Sequence, residues 1–426
     1  MKKASLVIQD INDNNYDELI EDLYIDSQLV DYQKTRYVKA IEKFISLYGD
    51  QDIEVYSTPG RSEVSGNHTD HQHGEVLAAA INLDIIAVVA PYDTTVKILS
   101  DDYDLHGIEI NDLAKREDEM GTSEGLIRGV LARYQELGFQ IGGFQAYMTS
   151  DVLQGSGLSS SAAFEVMVGT ILSGLYNGMN IDPVTIAQVG QYSENVYFGK
   201  PCGLMDQCAC SVGSLIHIDF KDNEHPIVEK IEVDFAEFKH SLCIVDVHAS
   251  HADLTDDYAS IPYEMKKVAQ FFGKEFLRDV DEKEFYDHLP EVREAINDRA
   301  VLRTIHLFEE NKRVEKAVQA LNEHDFDAFK AVIKASGESS YKYLQNIYSN
   351  HDTDNQAVSI ALALSENILL DQGVCRVHGG GFAGTIQAFV QDEFVATYKE
   401  EIEKYFGQGS CHVLKVRKYG GKKVIS

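Results

Sequence analysis

The chain has few basic residues for its length, since 38 Lys and Arg stand against 69 Asp and Glu in 426 residues, a formal net charge of −31. Nucleic-acid binding depends mainly on Lys and Arg contacts with phosphates, and anionic membrane surfaces attract the same residues. The composition therefore argues against both kinds of partner. An anionic ligand would have to be held by backbone N–H groups, a helix N-terminus or a metal ion.

Cysteine motifs and long apolar runs are missing as well. The six cysteines form no C-x-x-C pair, so neither a disulfide scaffold nor a zinc ribbon is predicted. No apolar run reaches 18 residues, and no apolar segment follows the lysines near the N-terminus. We therefore expect neither a membrane span nor a secretory signal, and the sequence favours a protein of the cytoplasm.

Helix-like and strand-like segments are mixed along the chain, and residues 290–346 are mostly helical in pattern, which is typical of an α+β fold. The segment 121–138 has the spacing of an amphipathic helix. The segment 52–61 predicts a strand that ends in a turn at Pro59-Gly60. A domain boundary is expected near residue 213, giving an N-terminal domain of residues 1–213 and a C-terminal domain of residues 214–426.

The segment "GSGLSSSAA", residues 155–163, combines glycines and serines immediately before a helical pattern. Phosphate binding needs several N–H donors at one point, which a glycine turn and a helix N-terminus provide, and the serines would cap the helix. The sequence is not a P-loop, because G-x-x-x-x-G-K-[ST] is absent. An ordinary serine N-cap after a flexible turn remains an alternative.

Two further clusters carry weaker signals. "HGGGF", residues 378–382, is either a functional glycine turn or a tight bend before a strand. "CGLMDQ", residues 202–207, offers the carboxylate of Asp206, with Glu194 twelve residues earlier, but a lone aspartate beside glycine is usually a turn or cap residue.

The segment "GNHTDHQHG", residues 66–74, contains three histidines and one aspartate. It superficially resembles the H-x-H-x-D-H run of metallohydrolases, in which alternate side chains face one metal ion. None of the histidines further along the chain lies in a recognisable ligand motif. A polar loop that binds a different ligand is therefore the other interpretation.

Taken in chain order, these clusters resemble the motifs of the galactokinases within the GHMP family of sugar and mevalonate kinases. "PGRSEVSGNHTDHQHGEVL" (59–77) is similar to the signature P-G-R-x-N-x-x-G-E-H-x-D-Y-x-x-G-x-V-L, and "QGSGLSSSAAFEV" (154–166) to the G-L-S-S-S-A-A phosphate loop. "SENVYFGKPCGLMDQ" (193–207) resembles E-x-x-F-x-G-x-x-C-G-I-M-D-Q. "RVHGGGFAG" (376–384) resembles R-M-T-G-G-G-F-G-G, and "DVHASHADLTDDY" (246–258) resembles a segment with a sugar-contacting tyrosine.

The resemblance implies that ATP phosphorylates the anomeric C1 hydroxyl of a hexose. It also implies an active site between a ribosomal-S5-domain-2-like N-terminal domain and a ferredoxin-like C-terminal domain. It assigns the proton-accepting base to Asp206, stabilisation of the transferred phosphoryl group to Arg61, and Mg²⁺ binding to Ser161 and Glu194. The other matched positions are the phosphate-wrapping Gly155, Gly157, Ser159, Ser160 and Ser161 and the sugar-binding Asn67, His68, Asp70, Gly203 and Tyr258.

Three departures from the galactokinase pattern surround the sugar and not the phosphates: Glu63, Asn67 and His71 stand for its asparagine, glutamate and tyrosine, and His73 adds a further histidine at a position that the signature leaves open. The family's glutamate lies near the sugar's C6 hydroxyl, so the resemblance implies a sugar-1-kinase but leaves galactose, an N-acetylhexosamine and a pentose such as arabinose open. A catalytically silent sugar sensor is a second hypothesis, and a metal-dependent hydrolase is a third. The chain is expected to be a monomer, as members of the family often are.

Overall fold

The computed structural model describes residues 1–100, 107–152, 157–233, 235–248 and 254–426. Its α-helices are α1 (Ala4–Asn12), α2 (Asp17–Tyr24), α3 (Val30–Tyr48), α4 (Ser123–Glu136), α5 (Ser160–Tyr176), α6 (Pro183–Tyr192), α7 (Met205–Val212), α8 (Thr255–Phe271), α9 (Glu282–Asp287), α10 (Leu289–Ala295), α11 (Asp298–Asn322), α12 (Phe326–Ser339), α13 (Ala357–Leu369) and α14 (Val395–Phe406). Its strands are β1 (Lys2–Lys3), β2 (Asp52–Ser65), β3 (Glu75–Pro91), β4 (Thr95–Ser100), β5 (Ile108–Glu109), β6 (Phe144–Ser150), β7 (Leu215–Asp219), β8 (Ile227–Ile231), β9 (His240–Asp246), β10 (Gly373–Val377), β11 (Thr385–Gln391), β12 (Cys411–Leu414) and β13 (Lys422–Ile425).

The larger sheet has the strand order β1-β2-β3-β6-β4-β5 in the described residues, with β13 beside β2 and the β7–β8 hairpin beside β3. Its central strand β3 is almost entirely buried. Helices α1–α3 pack on one face of the sheet, and α4–α7 pack on the other. Because both faces are covered, β3 is a nearly continuous apolar run and does not alternate.

The smaller sheet is antiparallel, with the order β10-β11-β9-β12. One of its faces packs on α13 and α14, and the other meets α12 within the main core. Helices α8–α11 form a separate apolar cluster. Two sheets, each with its own helices, confirm the predicted two-domain α+β fold, and no helix in the described ranges is long and apolar enough to cross a bilayer.

The strand β2 does not end at Pro59-Gly60 as the sequence predicted. It continues to Ser65, and its pairing with β3 shifts register between Pro59 and Arg61. Proline cannot donate to the ladder, and a register shift of this kind accommodates it while turning the following side chain. A Cβ at position 60 would lie 2.9 Å from the Leu158 carbonyl oxygen, so glycine allows β2 to approach the segment before α5 closely.

The predicted boundary near residue 213 remains a prediction, and the strands on both sides of it belong to one sheet. β7 and β8 follow residue 213 but extend the larger sheet, and β13 returns to β2 near the C-terminus. The change from the larger to the smaller sheet occurs between β8 and β9.

Candidate active site

The segment 157–160 leads directly into α5. Gly157 and Ser159 have positive φ angles of 73° and 57°, which turn the chain before the helix begins at Ser160. Ser159 occupies the N-cap position, but its side chain makes no capping hydrogen bond, which corrects the expectation of a serine cap. The helix N-terminus is left suited to an anionic ligand. Gly155, predicted to belong to this loop, lies outside the described residues.

Arg61 and Asp206 form a two-point ion pair at the start of α7. Nε and Nη2 of Arg61 donate to Oδ1 and Oδ2 of Asp206 at 2.7 and 2.8 Å. The Ser159 hydroxyl donates to Oδ2 of the same carboxylate. Nη1 of Arg61 donates to the carbonyl oxygen of Gly157. One guanidinium thus connects the predicted phosphate loop with the predicted base.

The environment keeps Asp206 ionised. Burial alone would raise the pKa of its carboxyl, but the Arg61 charge and the hydrogen bonds from Arg61 and Ser159 hold that pKa below its usual range. An ionised carboxylate can accept the proton of a nearby hydroxyl group. The residue therefore has the state that a general base requires at neutral pH.

Gly203 lies directly against Asp70. A Cβ at position 203 would be 2.0 Å from Oδ2 of Asp70, so any larger residue would force this carboxylate to move. Oδ1 of Asp70 accepts the backbone N–H of His71 at 2.9 Å. Three residues beyond Gly203 the chain reaches Asp206, so the two predicted carboxylates border the same short stretch of chain.

Asn67 is fully buried, and the protein itself uses all of its hydrogen-bonding capacity. Nδ2 donates to Oε1 of Glu63 at 3.0 Å and to the Gly379 carbonyl at 2.7 Å. Oδ1 accepts from Ser340 at 3.1 Å and from Asn346 at 2.8 Å. An asparagine side chain offers two donors and two acceptor positions, so none remains for a sugar. In this arrangement the Asn67 side chain has no free donor or acceptor for a sugar, and its role as a sugar ligand stays a prediction.

His68 and Tyr258 both contact the glycine turn 378–382. Nε2 of His68 faces the carbonyl oxygen of Gly380 at 2.9 Å, and the Tyr258 hydroxyl donates to the carbonyl of Gly381 at 2.8 Å. Burial lowers the pKa of His68 to about 3, so its imidazole is neutral. Burial raises the pKa of Tyr258 to about 12, so the phenol keeps its proton.

The same glycine turn also reaches the phosphate loop. A Cβ at Gly157 would lie 3.3 Å from Nδ1 of His378. The two ring nitrogens of His378 lie 3.1 Å from the Ser62 hydroxyl and 2.9 Å from the Thr385 hydroxyl. The "HGGGF" segment is therefore more than a bend, because it lies between the predicted sugar ligands and the predicted phosphate ligands.

Ser160, Ser161 and Glu194 line one cavity of about 1060 Å³. Glu194 is buried, and its Oε1 lies 3.4 Å from Nζ of Lys200, whose side chain is 65% exposed. A hydroxyl and a carboxylate are oxygen ligands that suit Mg²⁺, which usually takes only one or two carboxylates beside nucleotide phosphates. The exposed lysine is free to move aside for such an ion, so the donor set fits Mg²⁺.

Sequence reasoning missed the inner wall of this cavity. It is apolar and comes from several elements, with Ile98, Leu126, Met148, Phe164 and Phe198 among its residues. The volume and the apolar lining, next to a helix N-terminus, suit a nucleotide whose base is held by side-chain packing. No sequence signal could have identified these positions, because apolar residues in strands and helices look the same whether they line a cavity or fill a core.

The histidines of the 66–74 segment do not converge. His73 stacks on Phe276 with ring centroids 3.6 Å apart, His71 is exposed, and His68 faces Gly380. Within the described ranges, no group of three or more His, Cys, Asp or Glu side chains could hold a metal ion. The arrangement of these side chains does not support the metallohydrolase interpretation.

Comparisons with known proteins agree with this geometry. Residues 125–214 match the family described as the GHMP kinases N terminal domain, and residues 42–91 match the galactokinase galactose-binding signature. A galactokinase from Glaesserella parasuis is 30% identical over 371 residues, which are 85% of this chain and 92% of the relative. A galactokinase from Streptomyces coelicolor is 30% identical over 376 residues, 86% and 92% of the two chains.

Solved structures share the fold at lower identity. Lactococcus lactis galactokinase complexed with galactose has a TM-score of 0.75 at 22% identity and covers 90% of this chain and 98% of its own. The Methanococcus jannaschii mevalonate kinase has a TM-score of 0.60 at 17% identity, with coverages of 86% and 98%. At these identities the structures are evidence of a common architecture.

Proposed function

Because this chain belongs to the galactokinase family of the GHMP kinases, we propose that it transfers the terminal phosphoryl group of ATP to the anomeric hydroxyl of galactose or a closely related sugar. The observation that carries this proposal is the pair of contacts made by Arg61. Its guanidinium holds Asp206 by two hydrogen bonds and the Gly157 carbonyl of the phosphate loop by a third.

These contacts support direct transfer to the sugar. A sugar hydroxyl is a poor nucleophile at neutral pH, and the ionised Asp206 removes its proton as the bond to phosphorus forms. Arg61 stabilises the negative charge on the phosphoryl group in flight. Gly157, Ser159 and Ser160 belong to the turn and helix N-terminus that hold the phosphates.

Ser161 and Glu194 would hold Mg²⁺ together with the ATP phosphates. When bound, the ion neutralises phosphate charge and fixes the orientation of the terminal phosphoryl group. The residues of this chain that serve it are the hydroxyl at the start of α5 and the buried carboxylate whose second oxygen accepts from Gln207 at 3.1 Å.

The sugar is held by Asp70, His68, Tyr258 and the glycine at 203 in this proposal. Asp70 accepts hydrogen bonds from sugar hydroxyls, and Gly203 permits its approach to the base segment. Asn67 is left out of direct contact because its hydrogen bonds are all internal. The protein group that contacts the sugar near C6, where the family has its glutamate, decides between galactose and its relatives.

The two other hypotheses are not favoured. A catalytically silent sensor needs neither an ionised base nor an arginine that links this base to the phosphate loop. This chain has both, in Asp206 and Arg61. A hydrolase would need converging histidines, which the described residues do not provide. Cytoplasmic location and a monomeric state also belong to the proposal, and size-exclusion chromatography with light scattering tests the latter.

The decisive experiment measures ADP release with Mg²⁺ and ATP over a panel of galactose, glucose, N-acetylgalactosamine and L-arabinose. We expect galactose or one of its relatives to give saturable turnover, with a sugar 1-phosphate as product by ³¹P NMR. Reactions without sugar control for ATP hydrolysis. Binding of a sugar without ADP release would favour the sensor and refute the kinase.

A further inference from the structure

Two buried oxygen atoms near Asp206 find no hydrogen-bond partner among the described residues. They are Oε1 of Glu165 and Oε1 of Gln207. Glu165 lies in α5 and is 1% exposed, and Gln207 follows Asp206 in α7 and is 0% exposed. A buried oxygen without a hydrogen-bond partner is unfavourable, so two of them in one place require a physical explanation.

The two side chains already share one hydrogen bond. Nε2 of Gln207 donates to Oε2 of Glu165 at 3.1 Å and to Oε2 of Glu194 at 3.1 Å. Both amide hydrogens are used in this way, and one amide nitrogen lies between two carboxyl groups. Gly190 closes the site, because a Cβ there would lie 3.2 Å from Oε2 of Glu165 and from Cγ of Gln207.

The charges around Glu165 disfavour its ionised form. Lys200 pairs with Glu194 at 3.4 Å, but no residue in the described ranges forms an ion pair with Glu165. Burial, followed by the charge of Glu194, raises the pKa of the Glu165 carboxyl well above its usual value. Two carboxyl groups that share one amide donor in a buried site are best satisfied when one of them is protonated.

We propose that Glu165 is a neutral carboxylic acid paired with the side-chain amide of Gln207, and that this pair positions Asp206. A proton on Oε1 of Glu165 donates to Oε1 of Gln207, while Nε2 of Gln207 donates back to Oε2 of Glu165. The resulting ring of two hydrogen bonds satisfies both unpaired oxygens with a single proton. The pairing is inferred from the hydrogen bond between Gln207 and Glu165 and from the two unpaired buried oxygens, and only its catalytic consequence rests on the proposed function.

The ring joins the two helices that carry the reacting groups. α5 begins at the phosphate loop, and α7 carries Asp206 next to Gln207. Fixing Gln207 to Glu165 therefore fixes the base relative to the phosphates, and the second amide hydrogen orients Glu194. Glu165 touches neither ATP nor the sugar in this arrangement, so it is a positioning residue.

Three variants distinguish a positioning role of Glu165 from a general contribution to stability. Glu165→Ala opens the ring, and we expect kcat to fall by about 100-fold, since a shift of about 1 Å in a reacting group has that effect, with the KM for the sugar unchanged. Glu165→Gln keeps one donor and one acceptor at the same places, and we expect it to restore kcat. Ser173→Ala, a buried hydroxyl on the same helix, is the matched control and should leave kcat unchanged. Thermal unfolding verifies that each variant is folded at the assay temperature.

Infrared spectroscopy tests the protonation directly. Protein labelled with ¹³C-glutamate should show a protonated-carboxyl carbonyl band that shifts in D₂O and is absent from Glu165→Gln. No such band, or a kcat as low for Glu165→Gln as for Glu165→Ala, would overturn the proposal. An unchanged kcat in Glu165→Ala would overturn the positioning role. If even the unmodified chain phosphorylates no sugar, the proposed function fails, while the infrared band still decides the pairing.

Discussion

Replacing Asp206 with asparagine tests the proposed base at the centre of the site. The substitution keeps the size of the side chain but removes its charge and its capacity to take a proton. Both Asp206 oxygens are engaged by Arg61, and one of them also accepts from Ser159. An amide group presents N–H at one of these positions and cannot accept there. At least one contact is therefore lost, and the Arg61 guanidinium keeps an uncompensated charge.

The structure sets the expected size of two effects. Loss of a general base lowers kcat by about 10²–10⁴-fold. Breaking a buried ion pair from one side costs about 3–5 kcal/mol of stability. Arg61 is 7% exposed and the Asp206 side chain is 33% exposed, so water reaches the pair and we expect the lower end, about 3 kcal/mol.

The assay combines ADP release, ATP binding by calorimetry and unfolding by circular dichroism. We expect Asp206→Asn to bind ATP, to remain folded at the assay temperature and to lose turnover. Ser211→Ala is the matched control on α7, because it removes the hydrogen bond to the Pro183 carbonyl without touching the base. A folded Asp206→Asn protein whose kcat is within about tenfold of the unmodified enzyme would refute the assignment, since base catalysis contributes more than that.

Three other outcomes are expected. Gly203→Ala should displace the Asp70 carboxylate and lower kcat/KM for the sugar by up to about 100-fold, with the KM for ATP unchanged; equal effects on both substrates would contradict this. Asn67→Glu places a carboxylate beside Glu63 and removes two donors, so we expect a loss of about 2 kcal/mol in unfolding free energy and lower kcat/KM for every sugar, where the resemblance alone predicts a shift of preference toward galactose. Because the pKa of Asp206 is depressed, activity and the stability from its ion pair should persist at neutral pH and fall only as the pH drops below about 4; an acid limb near pH 6 in kcat/KM would be inconsistent with the Arg61 contact.

Local patterns in the sequence predicted single elements well. The helical spacing of residues 121–138 correctly predicted α4, which begins after Thr122. The side chain of Thr122 accepts a hydrogen bond from the Gly125 N–H. The strand at 52–61 was predicted to end at Pro59-Gly60, and that was wrong because a register shift against β3 absorbs both residues. Whether a proline ends a strand depends on the pairing partner, which the local sequence does not contain.

Residue spacing alone could not predict which residues come together in the site. Arg61 and Asp206 are 145 residues apart in sequence and form one ion pair, and only the resemblance to a family brought them together in advance. The resemblance could not show that Asn67 is enclosed, because the groups that enclose it, such as Ser340 and Asn346, lie more than 270 residues away. The apolar wall of the cavity beside the N-terminus of α5 could not be predicted either, since packing decides which apolar side chains face a void.

The pairing of β13 with β2 has a consequence for synthesis. Residues 422–425 hydrogen-bond to the strand that carries Arg61, and Arg417 donates to Ser57 and Asp84 of the same sheet. The sheet therefore cannot be completed until residues 417–425 have been synthesised. A nascent chain truncated before them should lack activity although every motif is present, and contacts this distant in sequence form slowly in folding.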